Sequence, residues 1–235
     1  MTASIVRKLY ITGGSLDTQF LKLFAAKAGK KHPKLVFVPT AVGDRADIIE
    51  IFTERCASIG IVPHILRTFI SSYQQKETFE SIVKDADIVI IYGGNTLNML
   101  AIWKAHGIDI LLKQAYERGT LMAGGSAGSL CWFEEGTTDS RPVFVTKIEC
   151  MGWIEGSHCP HYHAEAERKP MYHQSILKGE LKPGYALDDY AGLYFENEKA
   201  VETSSLVEGN CVFYVNVING TIHESKIELP AVINI

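Results

Sequence analysis

Apolar and polar residues follow two different patterns along the first half of the chain. Five short segments are almost continuously apolar, which is typical of strands buried on both faces of a parallel sheet. Between them, apolar residues recur every three or four positions, as on the buried face of a helix. The pattern predicts strands over residues 4–11, 34–39, 61–66, 87–94 and 120–123, and helices around residues 20–24 and over 44–60, 74–85, 95–118 and, further along, 168–178.

This alternation indicates an α/β fold with a doubly wound, mostly parallel sheet. Short strand-like segments dominate the last quarter of the chain. There, Asn219-Gly220 separates residues 211–217 from residues 221–229, which predicts a C-terminal β-hairpin. Because no low-complexity linker and no internal repeat interrupts the chain, we expect residues 1–235 to form a single domain.

Glycine pairs follow three of the predicted strands. They are Gly13-Gly14, Gly93-Gly94 and Gly124-Gly125. Ligands of doubly wound sheets bind in the crevice beyond the carboxyl ends of the strands. We therefore expect these three turns to meet at one edge of the sheet and to border a functional site.

Composition and charge exclude several classes of partner. The net charge is −4 and no basic stripe is present, which argues against nucleic acid and against an anionic membrane surface. No apolar run is long enough to span a bilayer. The five cysteines are scattered without paired spacing, as expected of reduced thiols in a cytoplasmic protein.

Ser126 is the strongest candidate for chemistry. Gly124-Gly-Ser-Ala-Gly128 matches the G-x-S-x-G pattern of a nucleophile elbow and directly follows a predicted strand. In such a turn the serine backbone is strained and its neighbours must be small. The N–H of Ala127 would be one donor to an oxyanion. The alternative is a glycine-rich helix start in which Ser126 is an ordinary N-cap.

A serine nucleophile needs a base, and three histidines compete for this role. His158, His161 and His163 lie within Gly156-Ser-His-Cys-Pro-His-Tyr-His163. The same segment suggests a metal site, but it lacks the second group of ligands that closes a zinc site. We therefore expect neither a metal nor an organic cofactor.

Several acidic residues could orient the base. Asp188-Asp189 ends an apolar run and could supply it, in the order serine, histidine, acid. The α/β-hydrolase order places the acid before the histidine, and Asp139, Glu149 or Glu155 could then serve with a later histidine. The spacing of the residues does not decide between these orders.

The turn after the fourth predicted strand could supply a second oxyanion donor. A glycine N–H in Gly93-Gly94 can approach a ligand closely, and Asn95 or Thr96 could cap the helix that follows. The alternative is an ordinary connection between a strand and a helix.

Four sequence blocks together resemble the peptidase E family of serine peptidases, which includes the cyanophycinases. They are Tyr92-Gly-Gly-Asn-Thr-Leu97, Gly125-Ser-Ala-Gly128, Cys159-Pro-His-Tyr162 and Leu187-Asp-Asp189. The resemblance implies a flavodoxin-like fold similar to the class I glutamine amidotransferase domain. It also implies the order serine, histidine, acid.

The resemblance assigns roles to particular residues. Ser126 matches the nucleophile, His161 the base and Asp189 the acid, with Asp188 as the rival one position away. Gly94 and Ala127 match the two backbone donors of the oxyanion hole.

The resemblance departs from the aspartyl dipeptidases where the substrate is held. Ser140, beside Asp139, stands where those enzymes have an acidic residue. Tyr172 stands near the position of their substrate-binding arginine, and Arg168, one helical turn away, could replace it. The candidate substrate-binding residues are therefore Asn95, Asp139, Arg168 and Tyr172, and the resemblance implies peptide hydrolysis without implying a preference for Asp-X peptides.

These observations predict a serine-type peptidase that hydrolyses short peptides, such as dipeptides, through a Ser126-His161-Asp189 triad and an acyl-enzyme. Two alternatives remain: an esterase or amidase acting on a small molecule, and a non-catalytic binding protein with the amidotransferase-like fold. The C-terminal hairpin either completes the fold or supports a homodimer.

Overall fold

The computed structural model describes residues 5–70 and 76–233. Its strands are β1 (Lys8–Thr12), β2 (Leu35–Val38), β3 (His64–Ile65), β4 (Ile88–Ile91), β5 (Leu121–Gly125), β6 (Phe133–Thr138), β7 (Thr146–Glu149), β8 (Ile154–Cys159), β9 (Gly184–Leu187), β10 (Ala191–Glu196), β11 (Lys199–Ser205), β12 (Val212–Ile218), β13 (Thr221–Lys226) and β14 (Ala231–Ile233). Its helices are α1 (Thr18–Ala28), α2 (Ala46–Ala57), α3 (Phe79–Val83), α4 (Thr96–His106), α5 (Ile108–Glu117), α6 (Ala127–Leu130) and α7 (Arg168–Leu177). Within these stretches no helix combines the length and the apolar composition that a bilayer crossing requires.

The larger sheet has the strand order β14-β11-β10-β1-β5-β4-β2-β3. The five strands from β1 to β3 in this order are parallel, whereas β10 is antiparallel to β1. On β4, Val89 and Ile91 belong to one hydrophobic cluster, and Ile88 and Ile90 belong to another. Alternate residues of a strand point to opposite faces of the sheet, so β4 is buried on both. This explains its continuous apolar sequence and confirms the predicted α/β fold with a mostly parallel sheet.

A second sheet, with the order β13-β12-β9-β8-β6-β7, contains strands between residues 133 and 159 that the sequence pattern does not predict. The C-terminal hairpin is confirmed, because β12 pairs antiparallel with β13. Asn219 and Gly220 have φ angles of 52° and 75°, and a type I′ turn requires positive values at both positions. β12 also pairs with β9, so the hairpin forms one edge of this second sheet.

The two sheets share part of their core. Phe133 and Ile154 of the second sheet lie in the same hydrophobic cluster as Leu9 and Ile11 of β1. After β8, the His161 N–H donates to the Gly13 carbonyl at 3.2 Å, so this loop lies against the turn that follows β1.

The third strand and the helix after it are less than half as long as the sequence pattern predicts. The third strand is limited to His64–Ile65. The helix predicted over residues 74–85 begins only at Phe79, because Thr78 is its N-cap and its hydroxyl accepts the Ser81 N–H at 3.1 Å. The first two residues of that prediction, 74 and 75, lie outside the described residues.

Candidate active site

Ser126 occupies a sharp turn between β5 and α6. Its φ and ψ angles are 56° and −121°, a conformation that costs a non-glycine residue about 1–3 kcal/mol. The Ser126 carbonyl accepts the N–H groups of Ser129 and Leu130, both at 2.9 Å. Small neighbours are required, because a Cβ on Gly128 would lie 2.2 Å from the Ile91 carbonyl oxygen. The expected strain at Ser126 is therefore present in the backbone.

The structure brings Ser126, His161 and Asp189 into one hydrogen-bonded chain. The Nε2 atom of His161 lies 2.8 Å from Ser126 Oγ, and its Nδ1 atom lies 2.7 Å from Asp189 Oδ1. A carboxylate can only accept, so the His161 proton is on Nδ1 and Nε2 is free to accept from the Ser126 hydroxyl. The order along the chain is serine, histidine, acid.

The other candidate acids do not contact His161. Asp188 bonds to His163, with 2.7 Å between Asp188 Oδ1 and His163 Nδ1. Within residues 5–70 and 76–233, no hydrogen bond joins His161 to Asp139, Glu149 or Glu155. The alternative order, with the acid before the histidine, therefore has no geometric support in the described chain.

Gly14 provides the space in which His161 and Asp189 meet. A Cβ on Gly14 would lie 2.4 Å from Asp189 Oδ1 and 2.5 Å from His161 Cε1. The glycine turn after β1 therefore borders the site, as predicted, but the specific need for Gly14 was not evident from the sequence. The only available signal was the glycine pair at the end of a strand.

Gly94 and Ala127 are the two candidate backbone donors near Ser126: Ala127 follows Ser126 in the chain, and a Cβ on Gly93, the residue before Gly94, would lie 3.0 Å from Ser126 Cβ. Neither N–H donates a hydrogen bond to an acceptor in the described part of the chain. Gly94 has a φ angle of 135°, and a Cβ there would lie 2.4 Å from the Ala41 carbonyl oxygen, so the turn requires glycine. Two free donors next to a serine hydroxyl form an arrangement that can stabilise an oxyanion.

The four candidate substrate-binding residues are engaged within the protein. Asn95 caps α4 through the Asn98 N–H at 2.8 Å, and its amide donates to the Ser140 carbonyl at 3.1 Å. Tyr172 is fully buried, and its hydroxyl lies 2.7 Å from Ser157 Oγ. Contrary to expectation, Tyr172 therefore offers no surface to a substrate.

Arg168 is buried as well, with only 2% of its surface exposed. Its guanidinium donates to the Thr137 carbonyl at 3.0 Å and pairs with Glu165 at 2.6 Å and with Asp139 at 3.3 Å. The positive charge of Arg168 is thus compensated by two carboxylates. This burial and this pairing argue against the substrate-binding role that the resemblance suggests for Arg168.

His158 is buried and lies outside the hydrogen-bonded chain of Ser126, His161 and Asp189. Its Nδ1 atom lies 3.1 Å from the Tyr185 carbonyl oxygen and its Nε2 atom 2.9 Å from Ser129 Oγ. Burial lowers the pKa of His158 to about 3, although the hydrogen bond to Tyr185 acts in the opposite direction. His158 is therefore neutral at neutral pH, with its proton on Nδ1.

We expect His158 to make the protein less stable in mild acid. Below the ordinary histidine pKa of 6.5, the unfolded chain binds a proton at this position and the folded chain does not. Between about pH 6.5 and pH 4.5 the free energy of unfolding should therefore fall by up to about 3 kcal/mol. Urea unfolding over this range should show a steeper fall for the wild type than for His158→Gln, which cannot take up that proton. Parallel pH slopes would contradict the assignment.

Sequence comparisons point to one family. A model of peptidase family S51 matches residues 9–203. The Bacillus subtilis (strain 168) protein named "Uncharacterized peptidase YgaJ" is 38% identical over 216 residues, covering 92% of this chain and 90% of the relative. "Uncharacterized peptidase Lmo0363" of Listeria monocytogenes serovar 1/2a is 24% identical over 167 residues, covering 67% of this chain and 79% of the relative.

Two solved structures share the fold. A peptidase from an acI-B1 Actinobacterium superposes with a TM-score of 0.72 at 16% identity, covering 96% of each chain. A Listeria monocytogenes EGD-e protein whose name includes "Peptidase E" superposes with a TM-score of 0.64 at 21% identity, covering 86% of this chain and all of the other.

Proposed function

The chain belongs to peptidase family S51 and is a serine-type peptidase, and from this premise we propose that it hydrolyses short peptides, such as dipeptides, through an acyl-enzyme on Ser126. The observation that carries the proposal is the hydrogen-bonded chain from Ser126 Oγ through His161 to Asp189, with distances of 2.8 and 2.7 Å. In this chain the hydroxyl of Ser126 donates to His161 and His161 donates to Asp189, which is the direction of donation that general-base activation of a serine requires.

In the first half of the proposed reaction, His161 Nε2 takes the Ser126 proton as Oγ attacks the peptide carbonyl. Asp189 keeps the His161 proton on Nδ1 and stabilises the imidazolium that forms. The N–H groups of Gly94 and Ala127 hold the oxyanion of the tetrahedral intermediate. Loss of one such donor costs about 10²–10³-fold in rate.

In the second half, the imidazolium of His161 returns its proton to the leaving amine, and the peptide bond breaks to give an ester on Ser126. Water then attacks this ester as His161 takes its proton, and the imidazolium returns that proton to Ser126 Oγ as the bond between Oγ and the acyl carbon breaks and the acid is released. Side chains of this chain perform every proton transfer.

The charges around the site argue against a preference for acidic substrates. Glu165 donates its N–H to the His161 carbonyl, and the Ser140 carbonyl accepts from Asn95 beside Gly94. The Glu165 and Asp139 side chains, the latter adjacent to Ser140, are 43% and 64% exposed, whereas Arg168 between them is 2% exposed. An acidic side chain entering here would meet two carboxylates before it met the guanidinium. We therefore propose that neutral or basic residues are preferred before the scissile bond.

A dipeptide library that varies the N-terminal residue tests this function. We expect the wild type to cleave a subset of the library in which Asp-X and Glu-X peptides are among the slowest substrates, with the new amino groups as the readout. Fastest cleavage of Asp-X peptides would contradict the charge argument. If the enzyme hydrolyses small esters but no dipeptide, the esterase or amidase alternative replaces peptide hydrolysis.

A further inference from the structure

The turn that carries the acid of the proposed triad is held by residues beyond the family match. This acid turn comprises residues 188–190, and the matched region ends at residue 203. The Asn210 side-chain amide donates to the Asp189 carbonyl. The Cys211 N–H donates to the Asp188 carboxylate at 2.9 Å, and the Cys211 carbonyl accepts the Asp188 N–H at 3.1 Å. The segment after β11 thus fastens both acidic residues.

A second connection reaches the acid turn through four side chains. Asp188 Oδ1 lies 2.7 Å from His163 Nδ1, and His163 Nε2 lies 3.1 Å from Lys169 Nζ. Lys169 Nζ in turn lies 2.7 Å from Glu224 Oε2, on β13 of the C-terminal hairpin. An ammonium group can only donate, so His163 accepts at Nε2 and carries its proton on Nδ1, which points at Asp188. Lys169 therefore donates to His163, and His163 donates to Asp188.

Glu224 supplies the charge that keeps Lys169 in place. Burial acts to raise the pKa of Glu224, but the hydrogen bonds from Lys169 and Tyr162 outweigh it and lower the pKa below its ordinary value. Glu224 is therefore ionised at neutral pH. It holds the flexible Lys169 side chain beside His163, where the ammonium group would otherwise turn to water.

We propose that residues 210–224 form a positioning element of the active site, which acts on the acid turn directly through Asn210 and Cys211 and indirectly through Glu224, Lys169 and His163. The proposal rests on the proposed function, because it takes Asp189 and His161 as members of the triad. The hydrogen bonds His161–Asp189 and His163–Asp188 join the same loop to the same turn. Holding His163 against Asp188 therefore also holds His161 within hydrogen-bond distance of Asp189.

Backbone conformation explains why this turn and this loop need support. His161 and Tyr190 have φ angles of 56° and 61°. Such conformations are unfavourable for residues other than glycine and persist only where surrounding contacts hold them. When a contact that holds the acid turn is lost, we expect His161 and Asp189 to spend less time in the bonded geometry.

The variant Glu224→Gln separates positioning from stability. Lys169 and Glu224 are partly exposed, at 35% and 24%, so loss of the charge should cost little stability. Glutamine also keeps an oxygen that can accept the Tyr162 hydroxyl, which Glu224 accepts. We therefore expect an unchanged urea midpoint but a kcat about tenfold lower, with KM within about twofold of wild type, as is typical of coupling within one hydrogen-bond network. The matched control is Glu134→Gln, which loses a similar surface pair with Lys182 at 2.8 Å and should keep wild-type kcat.

A double variant tests the route through His163. If Glu224 acts on Asp188 through His163, then Glu224→Gln combined with His163→Asn should be no slower than His163→Asn alone. If the loss of kcat in the double variant equals the product of the losses in the two single variants, this route is contradicted. Asn210→Ala probes the direct contact and should also lower kcat without raising KM.

The rate at which a fluorophosphonate labels Ser126 gives a readout that does not depend on the peptide used. Slower labelling of Glu224→Gln, with wild-type labelling of Glu134→Gln, supports the proposal. Equal rates and equal kcat values for the two variants overturn it, as does a loss of kcat that merely follows a lower urea midpoint. A wild type that is labelled but cleaves no peptide overturns peptide hydrolysis alone, and the labelling rates then decide the positioning. A wild type that is not labelled at all overturns both.

Discussion

Replacing Ser126 with alanine is expected to lower kcat by at least about 10³-fold, and by as much as about 10⁶-fold on the best dipeptide substrate. The variant removes the oxygen that would form the ester, whereas the donors of Gly94 and Ala127 and the His161-Asp189 pair remain. Substrate binding should therefore persist, and catalysis should fall to the level that binding and the oxyanion donors support without a nucleophile.

The measurement is single-turnover and steady-state hydrolysis by purified wild type, Ser126→Ala and Ser58→Ala. Ser58 lies on the surface at the end of α2, and its hydroxyl donates to the Arg55 carbonyl at 2.7 Å. Ser58→Ala should keep full activity and is the matched control for loss of a serine. If Ser126→Ala retains more than a few percent of wild-type kcat, Ser126 is not the nucleophile.

Replacing Asp189 with asparagine should have the second largest effect, a loss of about 10⁴-fold in kcat. The asparagine amide can donate to His161 Nδ1, which favours the tautomer with the proton on Nε2. That tautomer cannot accept the Ser126 proton. The shape of the side chain is nearly unchanged, so urea unfolding should show a folded protein of similar stability.

The neighbouring variant Asp188→Asn discriminates between the two acids. Asp188 bonds to His163 and to the Cys211 N–H, so its loss should affect the triad only by loosening the acid turn. We expect a loss of about tenfold, similar to that of Glu224→Gln. If Asp188→Asn is the more damaging of the two substitutions, the assignment of the triad acid is wrong.

The larger sheet was predictable because its strands and helices differ in apolar period. Strand β4 is apolar at every position and α1 buries Phe20, Leu21, Leu23 and Phe24, so each pattern had one consistent explanation. The hairpin was predictable for a local reason, the Asn219-Gly220 turn.

Strands β6, β7 and β8 of the second sheet were not predictable from apolar period. Strand β6 carries Glu135, which is 9% exposed. The carboxylate of Glu135 bonds to the Lys182 N–H at 2.6 Å and to Lys147 Nζ at 2.8 Å. A glutamate in a sequence indicates a surface position unless its partners are known, and the partners of Glu135 are far away in the sequence. Strand β6 therefore lacks a recognisable apolar pattern.

The candidate site could be predicted in part. The glycine turns and the G-x-S-x-G pattern have local causes and indicated where Ser126 would lie. Spacing left the histidine and the acid open, because which of them meet Ser126 depends on the packing of β8 against β9, which involves residues far apart in sequence. His161 and Asp189 were indicated only by the resemblance to the peptidase E family. The burial of Tyr172 and the compensation of Arg168 depend on the same packing and could not be inferred from spacing along α7.

The most direct test of the central claim is the reaction of the protein with a 1-aminoalkyl phosphonate diphenyl ester, which replaces the N-terminal residue of a cleaved dipeptide, followed by intact-mass and peptide-mass analysis. Such a compound requires both recognition of the residue before the scissile bond and an activated nucleophile. The account predicts one adduct per chain, located on Ser126, absent from Ser126→Ala and formed far more slowly by Asp189→Asn. An adduct on another residue, or no adduct on a sample that hydrolyses dipeptides, would contradict it.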